Sequence, residues 1–305
     1  MRAVRFDRYG GVDVLEVREV DDPVDADGRV VVAVRATGIN PGEIGVREGM
    51  LHDRWPATFP SGEGSDLAGD VRSIGGGVTG ISVGDEVIGW SDERSAHAEL
   101  VSVLVEHVVA KPAGLSWEVA GSMYVASMAA LASVRAVDPK RGEVVVVSAA
   151  AGGVGSFAAQ LALRTGATVI GLAGQGNHDW LRSRGIVPIA YGEGQADRVR
   201  AVADGHVDAF IDTFGGGYVD MALELGVAPE RINTIADFDA VATKGVKGEG
   251  TASIASAEAL AEVAEAVVAG DVEVPIAATF ALDEVREAYR KLADRHTRGK
   301  IVLIP

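Results

Sequence analysis

Three glycines, Gly152, Gly153 and Gly155, stand in the run SAAAGGVGSFAAQLALRTGA that spans residues 148–167. A dinucleotide fingerprint, G-x-G-x-x-G, sets its glycines between a strand and a helix. Here it reads Ala150-Ala151-Gly152-Gly153-Val154-Gly155, with alanine in the first glycine position. The turn Ala151, Gly152, Gly153, Val154, Gly155 would carry the nucleotide. Gly152 would let a pyrophosphate approach the backbone, and Gly155 would let the helix pack tightly on the strand. The exposed N–H groups and positive end of that helix would face the phosphates. A plain strand-to-helix turn also uses such glycines, but EVVVV before the turn and an apolar helix after it favour the cradle.

The adjoining residues bear on which nucleotide is held. The next strand, TVIGLAG, should end beside the adenosine ribose, where an NAD site carries Asp or Glu about 20 residues past the first glycine. The chain has Leu172, Ala173, Gly174, Gln175, Gly176 and Asn177 there, with no acid until Asp179. A carboxylate would repel a 2′-phosphate, so its absence favours NADP. No arginine stands there to bind the phosphate. Asn177 and His178 offer hydrogen bonds to it, although His178 reads equally as a surface residue at a helix start.

These residues need a scaffold, and the pattern of the chain supplies one. From about residue 116 strand and helix alternate, through GEVVVVSA, TVIGLAG, VPIAY, VDAFIDTFG and ERINTIAD with helical segments between them. That alternation predicts a parallel sheet with helices on both faces. Before it, short Val-rich strands punctuated by glycine and proline predict a compact barrel-like β domain. Ser116 is a candidate N-cap for the helical SWEVAGSMYVASMAALASVRAV, and SAEALAEVAEAVVAGD is a clear amphipathic helix. The tail ends in GKIVLIP, an apolar strand that needs a sheet to join.

Composition excludes other chemistry. There is no cysteine, hence no thiolate nucleophile, disulfide or Cys-ligated zinc. A formal charge of −16 argues against nucleic-acid binding, which clusters Lys and Arg against phosphate. No run of apolar residues is long enough for a membrane span, and the start MRAVRFDRYGG has no apolar signal core. A cytoplasmic protein acting on a small molecule is the simplest expectation. The six histidines show no paired ligand spacing and read as ordinary surface or strand-edge residues.

Taken together, GINP at residues 38–41, GSDLAGDVRSIGGGVTGISVGDEVIG at 64–89, AAAGGVG, FIDTFGG at 210–216 and the closing RGKIVLIP resemble the medium-chain dehydrogenase/reductase superfamily, in its zinc-free quinone oxidoreductase (zeta-crystallin-like) branch. The resemblance covers nearly the whole chain. It implies an α/β protein with a GroES-like β-barrel catalytic domain over residues 1–115, a Rossmann NADP-binding domain with a doubly wound parallel sheet over 116–270, and a segment 271–305 returning to the catalytic domain. It also implies an active site in the cleft between domains and a homodimer formed through the cofactor-domain sheet.

The same resemblance assigns residues. The zinc branch has Cys and His where this chain has Asn40 and Ser65. Without zinc to polarise an oxygen, hydride transfer from NADPH suits acceptors that are already electron-poor, namely quinones and α,β-unsaturated carbonyls. Asn40, from the residues alone a turn asparagine before Pro41, would be the catalytic polar group beside the nicotinamide. Tyr191 would contact the 2′-phosphate, and Phe214, Ile235 and Ala236 would line the nicotinamide side. Lys300 is a recurrent basic residue of the family's C-terminus and is expected at the cofactor. Two positions depart from the family: Gly45 replaces a common active-site tyrosine, and Ala129 replaces a common threonine. These departures motivate an alternative, an NADP(H)-binding redox-sensing or structural protein with little turnover.

Overall fold

The computed structural model describes all residues from Met1 to Pro305. The chain forms two compact units: unit 1 is Met1–Val125, Ser256–Val268 and Pro275–Pro305, and unit 2 is Ala126–Ala255 and Ala269–Val274.

Unit 1 opens with β1 (Arg2–Phe6), β2 (Glu16–Glu19), β3 (Arg29–Gly38), α1 (Pro41–Arg47), β4 (Ser61–Gly62) and β5 (Asp66–Ile74). It continues with β6 (Glu86–Trp90), β7 (Leu100–Leu104), β8 (Val108–Ala110) and α2 (Trp117–Ala120). Val-rich β3 is buried along most of its length and β5 over its first half, and Val30, Val32, Leu67, Val71, Val87 and Val103 fill the interior beneath them. Ser116 caps α2 as expected, accepting from the Val119 N–H at 3.3 Å. The expected continuous helix after it is broken, however. A side chain at Gly121 would lie 2.3 Å from the Ala36 carbonyl oxygen, so the chain breaks to pass close to β3 and restarts as α3 (Tyr124–Val137).

The division between units falls inside α3, later than the expected boundary at residue 115, because α2 packs on β3 and β5. Segment Ser256–Val268, expected with the cofactor domain, also belongs to unit 1.

Unit 2 contains β9 (Val144–Val147), α4 (Gly153–Leu163), β10 (Thr168–Leu172), α5 (His178–Ser183), β11 (Val187–Ile189), α6 (Gln195–Val202), β12 (Ala209–Asp212), α7 (Tyr218–Glu224), β13 (Ile232–Thr234) and α8 (Phe238–Lys244). Its five strands are all parallel, in the order β11-β10-β9-β12-β13. Numbered within the unit that is 3-2-1-4-5, the doubly wound Rossmann order, whose ligand crevice lies outside the carboxyl ends of the strands where the order reverses. Here the reversal is at β9, between β10 and β12.

The chain then adds α9 (Ala257–Val268), β14 (Ile276–Ala281), α10 (Val285–Ala293) and β15 (Lys300–Ile304) to unit 1. β15 inserts between β14, to which it is parallel, and β3, to which it is antiparallel. Amphipathic α10 buries Val285, Ala288 and Tyr289 against Val4, Phe6, Leu15, Ile39, Ile301 and Leu303. The last apolar run thus finds its sheet in the first unit. No helix is long and apolar enough to cross a membrane.

Candidate functional site

The glycine turn leaves the carboxyl end of β9, the central strand of unit 2. Its left-handed residue is Ala149, with φ of 46°, one place before the alanine matched to the first glycine of the fingerprint. The Gly152 N–H closes the turn on the Ala149 carbonyl at 2.8 Å. A Cβ at Gly155 would lie 2.2 Å from that same oxygen and 3.0 Å from the Ala150 Cα, so only hydrogen fits where α4 packs on the turn. A Cβ at Gly152 would meet Ala149 alone, its oxygen at 3.2 Å, and otherwise open space. Gly152 is the N-cap of α4 and has no side chain to cap it. The first-turn N–H groups of Gly153, Val154 and Gly155 therefore lack an intrahelical acceptor and sit at the positive helix end. Open space at Gly152 and free donors beside it are what a pyrophosphate requires.

The structure brings Gly174, Asn177 and Tyr191 together beyond β10 and β11. The exposed Tyr191 hydroxyl lies 3.5 Å from where a Gly174 Cβ would be, and the Asn177 N–H donates to the Gly174 carbonyl at 2.9 Å. His178 reaches the Ala173 carbonyl at 3.1 Å through Nε2. Asp179, the first acid after β10, stands in the exposed first turn of α5 and accepts from Arg182. Behind Tyr191, Arg198 donates to the carbonyls of Ala190 and Glu193, each at 2.8 Å, and ties down the loop that presents the tyrosine.

Phe214, Ile235 and Ala236 lie just past the carboxyl ends of β12 and β13. Their organiser escaped the sequence reading. Buried Asp212 ends β12, and its carboxylate accepts from Ser148 Oγ (2.7 Å), Thr234 Oγ1 (2.8 Å) and the N–H groups of Phe214 and Gly215 (3.0 Å each). One carboxylate thus gathers the ends of β9, β12 and β13 at the switch point. The FIDTFGG motif contained it, but nothing in its spacing tells an organising aspartate from a ribose ligand.

Unit 1 holds a separate set of buried polar side chains. Asn40 is the N-cap of α1, and its Nδ2 donates to Glu43 (3.3 Å) and Asp66 (3.2 Å) while Oδ1 accepts from Lys300. Because an ammonium only donates, Lys300 fixes which end of the amide faces it. Both amide donors expected to serve a substrate carbonyl are already engaged. The three donors of Lys300 reach Asn40, the Ile39 carbonyl and Asp66. At 3% exposure this lysine is a brace for Asn40, and no N–H remains for the cofactor contact expected of it. Ser65 donates its N–H to Glu43 at 3.2 Å.

His97, expected at a surface or strand edge, is completely buried between Thr37 and Tyr289. Burial pushes it down to about 3. Burial also pushes Glu43 and Asp66 above the usual carboxylate range, against hydrogen bonds and the Lys300 charge, and raises Glu63 to about 8 against its partner Arg47. No three His, Cys, Asp or Glu side chains converge in a metal-holding arrangement. At Gly45 a Cβ would lie 2.9 Å from the Leu51 side chain, so a larger residue there requires that leucine to shift.

Comparisons with known proteins agree with this layout. Residues 26–136 match the alcohol dehydrogenase GroES-like domain, and residues 186–303 match the zinc-binding dehydrogenase family. A quinone oxidoreductase of Pseudomonas aeruginosa is 30% identical over 100% of this chain and 99% of its own length. The solved quinone oxidoreductase of Coxiella burnetii superposes with a TM-score of 0.87 at 28% identity, covering 100% of this chain and 99% of that one. A mycobacterial protein solved in complex with NADPH has a TM-score of 0.87 at 26% identity, with both chains fully covered.

Proposed function

This chain belongs to the zinc-independent quinone oxidoreductase branch of the medium-chain dehydrogenase/reductase superfamily, a GroES-like domain joined to a Rossmann domain, and from that premise we propose that it reduces quinones or α,β-unsaturated carbonyls with NADPH. The single observation that carries the reading is the pairing of an acid-free ribose position with replaced zinc ligands. Gly174, Asn177 and Tyr191 stand where an NAD site has its carboxylate, and Asn40 and Ser65 stand where the zinc branch has Cys and His.

Each half has a chemical consequence. Tyr191 and Asn177 would hold a ribose 2′-phosphate with no carboxylate among them to oppose it, whereas a 2′-hydroxyl would find no carboxylate acceptor there. Gly152 admits the pyrophosphate to the N–H groups opening α4, and Asp212 holds the strand ends beneath the nicotinamide side, where Phe214 and Ala236 are exposed. Bound there, the reduced nicotinamide supplies the hydride. Asn40 and Ser65 supply no Lewis acid, so the acceptor must already be electron-poor. The NADPH-bound mycobacterial relative and the quinone oxidoreductase names of other relatives support the same choice.

The test is direct. Purified protein mixed with NADPH and a panel of quinones and enones should oxidise the cofactor, followed by its absorbance, and should bind NADPH more tightly than NADH by calorimetry. Silence across the panel would remove the reductase reading. Equal affinity for the two nucleotides would remove the NADP preference.

A further inference from the structure

Four contacts run in a line through the interior of unit 1. Thr37 Oγ1 lies 2.6 Å from the Asp66 carbonyl oxygen and 3.0 Å from His97 Nδ1. His97 Nε2 lies 3.1 Å from the Tyr289 hydroxyl, which lies 2.6 Å from Glu43 Oε2. All of these side chains are buried. Each contact needs one hydrogen. The Thr37 hydroxyl, a neutral His97 and the Tyr289 hydroxyl bring one apiece, which is one fewer than the contacts require.

The order of donation follows from the end that cannot donate. A carbonyl oxygen only accepts, so Thr37 donates to Asp66. His97 must then donate to Thr37 from Nδ1, and its Nε2 accepts from Tyr289. The tyrosine hydrogen is thereby used, and the short contact to Glu43 holds only if the carboxyl group donates. We infer that Glu43 is a neutral carboxylic acid at physiological pH, donating its proton to Tyr289 and holding His97 in its Nδ1–H tautomer.

A second home for the missing proton is a doubly protonated His97, with Tyr289 donating to Glu43 instead. The cost of burying charge decides against it. The buried set has two cations, Arg47 and Lys300, facing three carboxyl groups, Glu43, Glu63 and Asp66. Arg47 pairs with Glu63, and Lys300 pairs with Asp66 at 3.3 Å. With Glu43 and His97 both neutral, neither brings a further charge into the buried cluster. The alternative adds a third buried ion pair, a His97 imidazolium 3.9 Å from the Glu43 carboxylate with the imidazolium also beside the Arg47 and Lys300 charges, and burying two more charges costs more than that contact returns. Burial of His97 and Glu43 shifts each towards its neutral form, in line with this assignment. The groups facing Glu43 from other elements are Tyr289 on α10, Lys300 on β15, Asp66 on β5, the Ser65 N–H and Glu63 before it, and His97, whose Nε2 lies 3.9 Å from Glu43 Oε2.

The neutral acid has a structural task. Glu43 accepts the Asn40 N–H at 2.7 Å and an Asn40 Nδ2 hydrogen, closing the capping box at the start of α1. It is a positioning residue for Asn40. It does so without adding a third negative charge to a site whose other carboxylates are already paired. This inference is independent of which nucleotide or acceptor the protein uses.

Histidine tautomers read by nitrogen-15 NMR on the wild-type protein test it without a substitution. The His97 ring should be neutral with its proton on Nδ1; an imidazolium or an Nε2–H ring at neutral pH would overturn the assignment. Infrared difference spectra between wild type and Glu43→Gln at neutral pH should show loss of a protonated-carboxyl C=O band, and loss of carboxylate bands alone would likewise overturn it. Glu43→Gln, whose amide nitrogen donates to Tyr289 but cannot accept the Asn40 N–H that Oε2 accepts, should lower the wild-type Tm at neutral pH only in part. Glu43→Ala should lower it further. A fall in Glu43→Gln as large as that in Glu43→Ala contradicts a neutral donor.

Discussion

Arg47 and Glu63 are the most deeply buried opposite charges that never touch the cofactor turn or Asn40, with 1% and 4% side-chain exposure. Burial alone would neutralise Glu63; the Arg47 guanidinium, itself stacked over the Tyr289 ring at 4.6 Å, opposes that and leaves Glu63 raised to about 8. The sign for stability follows. A carboxyl group whose folded pKa lies above its unfolded value of about 4.3 binds more protons folded than unfolded. Its contribution is full below the unfolded value and is lost as pH rises to the folded one. His97 works in the other direction, because at about 3 it binds fewer protons folded, and stability is lost as pH falls from about 6.5. Thermal unfolding followed from about pH 6.5, above which His97 loses its charge in the unfolded chain, to about pH 8, the Glu63 limit, should therefore show Tm declining, while below that window the two slopes oppose each other. Glu63→Gln, which has no proton to titrate, should show a shallower decline over that window. An unchanged slope would remove Glu63 from the linkage. Little of this was legible beforehand. Asn40 and Lys300 were singled out through the family motifs, but Glu43, Glu63, His97 and Tyr289 were not, because their meaning lies in partners on other elements, up to 246 positions away, and not in local spacing.

At the scale of elements, the turn between β9 and α4 separates two uses of glycine that look identical in sequence. Gly155 is fixed by packing, since its Cβ would lie 2.2 Å from the Ala149 oxygen, which is backbone and cannot yield cheaply. Gly152 faces open space apart from a 3.2 Å approach to that oxygen, and its φ of −80° is available to any residue. Gly155→Val should therefore destabilise unit 2, by about 1–3 kcal/mol or more as overpacking does. Gly152→Val should cost little stability and should weaken NADPH binding at least tenfold by blocking the approach to the α4 N–H groups. Denaturant unfolding and calorimetric titration of both variants check the contrast, and equal destabilisation with equal binding would dissolve it. The strand-turn-helix pattern was readable from EVVVV and the helix after it because each signal is local. The break at Gly121 and the division inside α3 were not, because both arise from a helix packing on β3, and no residue in the helical stretch announces that contact.

At the scale of the whole molecule, unit 1 is closed by the end of the chain. β15 supplies the shared neighbour of β14 and β3, the Ile301 carbonyl accepts from the Ile39 N–H at 3.0 Å, and Lys300 braces Asn40 and Asp66 beside it. The closing RGKIVLIP signalled a strand in need of a sheet, and the family resemblance pointed to the first domain; which strands it joins is a matter of topology alone. A chain ending at Arg298 would lose the buried Ile301, Val302 and Leu303, each worth about 1.5–3 kcal/mol of burial. It would also leave Asp66 without its ammonium, a loss of about 3–5 kcal/mol for a broken buried pair. Together these approach the whole stability of an ordinary domain, about 5–15 kcal/mol. The loss should fall on unit 1. Trp90, stacked between Tyr124 and His107 at 4.5 Å from each ring, reports on that unit. The shortened chain should lose the near-ultraviolet dichroism of this stack and should be cleaved by protease within residues 1–125 far sooner than the full chain. Native-like dichroism with an unchanged Tm would mean that β3 and β14 hold the sheet without β15, and the returning strand would then be an addition to a unit already complete.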